Sequence, residues 1–87
     1  MTLFFRITPA LVAALGLDDR GVLAETGLDL RGTSKCPALV FEDRARAERF
    51  HKELEYRSSG HFHQDGGATR ACRAAARNLA RLLQKEA

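Results

Sequence analysis

Five cations recur at three- or four-residue spacing near the C-terminal end of the chain: Arg70, Arg73, Arg77, Arg81 and Lys85. Gln84 falls inside the same stripe and Asn78 at its margin. At about 100° per residue these side chains share one face of a helix, with Cys72, Ala75, Ala76, Leu79, Leu82 and Leu83 on the other. A helix of this length, about 28 Å at 1.5 Å per residue, can follow a nucleic-acid backbone, each neutralised phosphate adding to the salt dependence of binding. The planar guanidinium grips phosphate or carboxylate at two points, and the amides of Gln84 and Asn78 can reach base edges. The plainer alternative is a solvated face, since an exposed helix side needs polar residues whether or not it has a partner.

Other chemistry-bearing residues form weaker groupings. His61 and His63 alternate, so in an extended segment they point to one side, and with Asp65, His51 and Cys72 they are the only set resembling a metal site. Their spacing matches no established zinc pattern, and no metal or cofactor is expected. Lys35 precedes Cys36 in a Gly-Thr-Ser-Lys-Cys-Pro run that lacks the order of a phosphate-binding loop. A neighbouring cation can lower a thiol pKa, but no partner base is identifiable for a nucleophile. The carboxylates offer no pair in which one must stay neutral beside an ionised neighbour. The sequence therefore points away from an enzyme. Among the aromatics, Phe4 beside Arg6, Tyr56 and Phe62 could stack on exposed bases, although aromatic rings more often cover a core.

The charge is unevenly placed. Residues 66–87 hold five basic residues and one acid, net +4, so the rest of the chain is −1 and the whole is +3. Residues 16–30 run the other way, with Asp18, Asp19, Glu25 and Asp29 against Arg20 alone. Such asymmetry points to an anionic partner or to charge-matched self-association. With 45% hydrophobic and 29% charged residues the composition is that of a globular protein, and 87 residues suit one domain (1–87) with a modest core. Two cysteines without a CxxC motif suggest a reducing, cytoplasmic setting. Residues 7–17 are apolar enough to mimic a leader but are needed as strand and helix, and no run nears the roughly 18 apolar residues of a membrane span.

The elements that must position these residues follow from local pattern. Residues 2–8 alternate as a strand, with Leu3, Phe5 and Ile7 facing the core. Thr8 and Pro9 open a short helix near 9–15 that Gly16 ends, with Leu11, Val12 and Leu15 as its apolar residues. Between residues 17 and 37, Gly21, Gly27 and Gly32 interrupt every period. The alternation in Leu28-Asp29-Leu30-Arg31 favours a hairpin joining 22–24 to 28–30 over a helix capped by Asp18 and ended at Gly27. Residues 37–42 are apolar on both faces, as in a central strand covered on both sides.

Asp43 caps a helix over 44–57 with Ala47, Phe50 and Leu54 as its seam. Around that seam Arg44/Glu48, Glu48/Lys52, Arg49/Glu53 and Glu53/Arg57 are spaced as i,i+4 ion pairs. His61-Phe62-His63 could add a short edge strand. The alanine-rich residues 68–86 form the last helix, whose apolar residues approximate two heptads and leave helix pairing across a dimer axis open.

These elements predict an α+β fold: a small two-layer domain with a 2–4-stranded sheet covered by helices 44–57 and 68–86. The favoured function is a non-enzymatic binding module, monomer or homodimer and not membrane-bound, that engages an anionic macromolecule through the basic face. Its partner would be a nucleic acid or an acidic protein surface. An alternative uses Asp18, Asp19, Glu25 and Asp29 to mask a host protein complex. In size and composition the chain resembles the small inhibitors of phages and mobile elements, anti-CRISPR proteins among them, which implies a bacterial or phage setting and partner masking. A metal-dependent role through His61 and His63 is the third alternative.

Overall fold

A computed structural model describes residues 2–59 and 66–85. The first strand, β1 (Leu3–Arg6), buries Leu3 and Phe5 and turns Phe4 and Arg6 to solvent, the alternation that its sequence predicts. Ile7, just beyond the strand, is also buried and donates its N–H to the Pro37 carbonyl at 3.0 Å. Helix α1 (Pro9–Leu15) starts and stops as expected: the Thr8 hydroxyl accepts from the Leu11 N–H at 3.2 Å, and Gly16 closes the last turn. Leu11 is buried, while Val12 and Leu15 are half-buried.

The segment after α1 departs from the favoured expectation. Residues 22–24 are not a hairpin arm; they lie in α2 (Arg20–Thr26). The cap is Asp19 rather than Asp18, its carboxylate accepting the Gly21 N–H at 2.8 Å. Gly27 ends the helix at φ 71°, a left-handed conformation that favours glycine, and donates to the Leu23 carbonyl. The other proposed arm does become a strand, β2 (Asp29–Gly32), but it pairs with β3 (Pro37–Phe41). That choice sets Leu30 opposite Leu39, a fully buried leucine, and places two apolar side chains on the core face. Gly32 sits at φ 90° where the chain enters the turn to β3, and a Cβ there would collide with the Cys36 carbonyl oxygen.

The sheet is antiparallel with order β1-β3-β2, so β3 is central as predicted. Its core face carries Leu3, Phe5, Leu39 and Phe41. Helix α3 (Arg44–Arg57) has the predicted cap, with the Asp43 carboxylate accepting from the Arg46 N–H at 2.8 Å, and the predicted buried seam of Ala47, Phe50 and Leu54. Phe50 meets Phe41 of β3 with ring centroids 5.5 Å apart. The 20-residue α4 (Gly66–Lys85) packs along both α3 and α1. It buries Cys72, Ala75, Ala76, Leu79 and Leu83 as expected, together with Thr69, and leaves Leu82 half-buried.

The result is the expected α+β architecture, with one core between the sheet and the helices. No helix among the described residues is long and apolar enough to cross a membrane.

Candidate nucleic-acid interface

Because α4 turns its leucines inward, the opposite side is fixed in solvent by the same 3.6-residue period. Arg70, Arg73, Arg77, Arg81, Lys85, Gln84 and Asn78 are all exposed there. From Gly66 to Lys85 the helix contains no acid. Among the described residues none of its five cations joins an ion pair. Among the described residues Arg73 alone of the five is anchored, donating from Nη2 to the Ser58 carbonyl at the end of α3, 3.2 Å away.

Helix α3 uses its cations differently. Arg44 meets Glu48 at 2.7 Å, Arg57 meets Glu53 at 2.8 Å, and Arg46 lies 3.9 Å from the capping Asp43. Two of the four expected i,i+4 pairs are therefore present, whereas Glu48/Lys52 and Arg49/Glu53 are not among the ion pairs of the described residues. Glu48 and Glu53 each serve one arginine, Arg44 and Arg57. Arg44 also donates from Nη1 to the Leu83 carbonyl at 2.9 Å, tying the start of α3 to the last turn of α4.

A groove of about 370 Å³ runs between β1, the start of α1 and α4, with Arg6, Thr8, Arg70, Ala74 and Asn78 among its walls. It joins the helix stripe to the sheet, where strand pairing organises the outer face. One cross-strand row is Phe4, Val40 and Asp29; the next is Arg6, Ala38 and Arg31. Phe4 is 55% exposed. Arg31 is held by Asp29 through two hydrogen bonds of 3.0 and 3.1 Å, while Arg6 has no ion pair among the described residues. This outer face is therefore less covered than expected for β3: Ala38 is buried between its neighbours, but Val40 is only half-buried. Sequence reasoning marked Phe4 and Arg6 but missed that Arg6 and Arg70 line one groove, a juxtaposition with no local sequence signal.

In the alternative sites some members already have local partners. Asp18, Asp19 and Glu25 are exposed, but Asp19 caps α2 and the half-buried Asp29 holds Arg31. The proposed metal pair His61/His63, with Asp65 and the suggested edge strand, lies outside the described residues. Among the described residues no three His, Cys, Asp or Glu side chains are grouped to hold a metal. Of the suggested companions, His51 lies with Nδ1 3.3 Å from Glu55, and Cys72 is fully buried, its thiol pKa pushed up by that burial. Cys36 is exposed in the β2–β3 turn, where its N–H bonds to the Thr33 hydroxyl at 3.0 Å.

A larger cleft of about 670 Å³ opens between α2, the sheet end and α3, with Leu17, Val22, Leu28 and Phe50 in its wall. Its rim mixes Arg46, Arg49 and Arg57 with Glu25, Glu42 and Glu53, so charge selects no ligand class for it. The chain matches no protein-family model, no curated protein and no solved structure. Function rests on the geometry alone.

Proposed function

We propose that this protein is a non-enzymatic binding module that holds a nucleic acid on the solvent side of α4. The observation that carries the reading is the contrast in charge use. Five cations on α4 face water without an acidic neighbour on their helix, whereas three of the five on α3 have acidic partners. A surface needed only for solubility is served as well by mixed charge, as on α3, and a row of one sign raises self-repulsion without benefit to the fold. Arg6 and Arg70 extend the positive strip over the groove to the sheet, lengthening the path a phosphate backbone can follow. Cys36 and Cys72 are not joined to each other, consistent with a reducing compartment such as the cytoplasm.

The test is fluorescence anisotropy at low ionic strength with labelled 20-nucleotide RNA and DNA. Arg77→Glu/Arg81→Glu on α4 is compared with Arg49→Glu/Lys52→Glu on α3, a substitution of equal net charge. The α4 variant is expected to lose at least about tenfold in affinity and the α3 variant only a few-fold, because phosphate contacts act at short range under screening. Equal losses would assign binding to net charge, and no wild-type binding at low salt would remove nucleic acid as the partner. An acidic protein captured in its place, and lost with the α4 variant, would move the same face to that class.

A further inference from the structure

The open side of the sheet holds an aromatic ring that the fold does not require. Alternation along β1 sends Leu3 and Phe5 into the core, where they are 2% and 3% exposed, and Phe4 away from it, where more than half of its surface meets water. Phe4 therefore closes no edge of the core. Its cross-strand neighbour Val40 is half-buried, giving the ring a flat apolar flank rather than a pocket. One row further on, Arg6 and Arg31 flank Ala38, which is 1% exposed between them. Asp29 holds Arg31, so Arg6 is the cation of that row without an acidic partner among the described residues.

Arg6 stands two residues from Phe4, about 6.8 Å along a strand, close to the separation of a base from its own phosphate. Arg6 is also the residue that reaches into the groove shared with Arg70 and Asn78 of α4. Ring, lone cation, groove and helix stripe thus form one continuous path.

We infer that this path binds single-stranded nucleic acid, with a base stacked on Phe4, the adjoining phosphate at Arg6 and the following backbone carried across the groove to Arg70 and the α4 stripe. The inference rests on the proposed function of α4 and deepens it by naming the strand class. The choice of single strand follows from what a ring can reach. The faces of paired bases are hidden in the duplex stack, whereas an unpaired base offers a face of any sequence to a solvent-exposed aromatic. A duplex could still lie along α4 by its phosphates, but it would gain nothing from Phe4.

The test uses the whole chain, labelled 20-nucleotide oligo-dT and oligo-U, and a 20-base-pair duplex at matched low salt. Phe4→Ala is expected to weaken binding of both single strands by about tenfold, the order of one lost base–aromatic stack, and to leave duplex affinity within about twofold. Phe4→Trp keeps a ring and, because the chain has no tryptophan, adds a unique reporter. Its affinity should match or exceed wild type, and its emission should fall on adding oligo-dT but not duplex. Single-strand binding unchanged by Phe4→Ala, with Phe4→Trp emission unmoved at saturation, would overturn the stacking site while leaving the α4 reading intact. Absence of binding to all three probes by the wild type would overturn both.

Discussion

Helices α3 and α4 carry five Arg or Lys residues each, yet they are built on different plans. On α3, acids are interleaved one turn from the arginines, and Arg44, Arg46 and Arg57 all have acidic partners. Arg44 further reaches the Leu83 carbonyl, where a cation also meets the negative end of the α4 dipole. On α4 the spaces between cations hold alanine, leucine, Cys72 and the amides of Asn78 and Gln84 but no acid, and the cations point outward from a helix anchored on α3 and α1. The difference teaches that charge count alone does not mark a binding surface. What separates the two helices is whether the sequence supplies an acid within i,i+3 or i,i+4 reach. Where it does, three of the four arginines pair within the scaffold; where it does not, the cations are left facing solvent.

The largest expected effect concerns what the two helices share. Leu54 of α3 and Leu79 of α4 are both 0% exposed, and truncating either to alanine should cost about 3 kcal/mol of unfolding free energy, measured by urea denaturation. A much smaller loss for one of them would break the symmetry of the buried seams. Next come the outward faces. Arg44→Ala removes both its bond to Glu48 and its bond to the Leu83 carbonyl, and should cost about 1 kcal/mol. Arg77→Ala should change stability by less than about 0.5 kcal/mol. Equal costs would erase the distinction between scaffold arginines and free ones.

The smallest effect is a pH dependence on the α4 side of the seam. Burial raises the Cys72 thiol pKa in the folded protein, the largest of its causes, with Arg57 opposing and Glu53 adding to it. Below the ordinary thiol pKa of about 8.5 the associated stability is fully present. As pH rises past that value the unfolded thiol loses its proton first, so the unfolded state binds fewer protons and stability declines until the raised folded value is passed. The decline measured from pH 8 to 10 should be shallower in Cys72→Ala, and an identical slope would show that Cys72 stays outside the titration.

The same contrast explains what the sequence made legible. Helix α3 was readable to the residue, because its cap at Asp43 and its seam of Ala47, Phe50 and Leu54 are local signals. Its ion pairs were half readable: i,i+4 spacing offers Glu48 and Glu53 two basic residues each, and only packing decides which is used. The stripe of α4 was equally plain, since period and charge coincide there. Residues 17–37 were not, because the alternation at 28–31 announces a strand without naming its partner. The choice of β3 over residues 22–24 depends on a distant apolar run that needs both of its edges paired. For the same reason Phe4 and Arg6 were visible as residues, but the groove that Arg6 shares with Arg70 was not, since it requires α4 to lie beside β1.

The most direct measurement is the salt dependence of single-strand binding, compared between wild type and an α4 variant with Arg73, Arg77 and Arg81 changed to alanine. If the five α4 cations and Arg6 meet phosphates, log K should fall with log salt with a slope near −4.2 for the wild type, about −0.7 per contact. In the triple variant, with Arg70, Lys85 and Arg6 left, the slope should shrink to about −2.1. A slope unchanged by removing these three arginines would mean that the phosphates lie elsewhere, contradicting the assignment of α4 as the binding face.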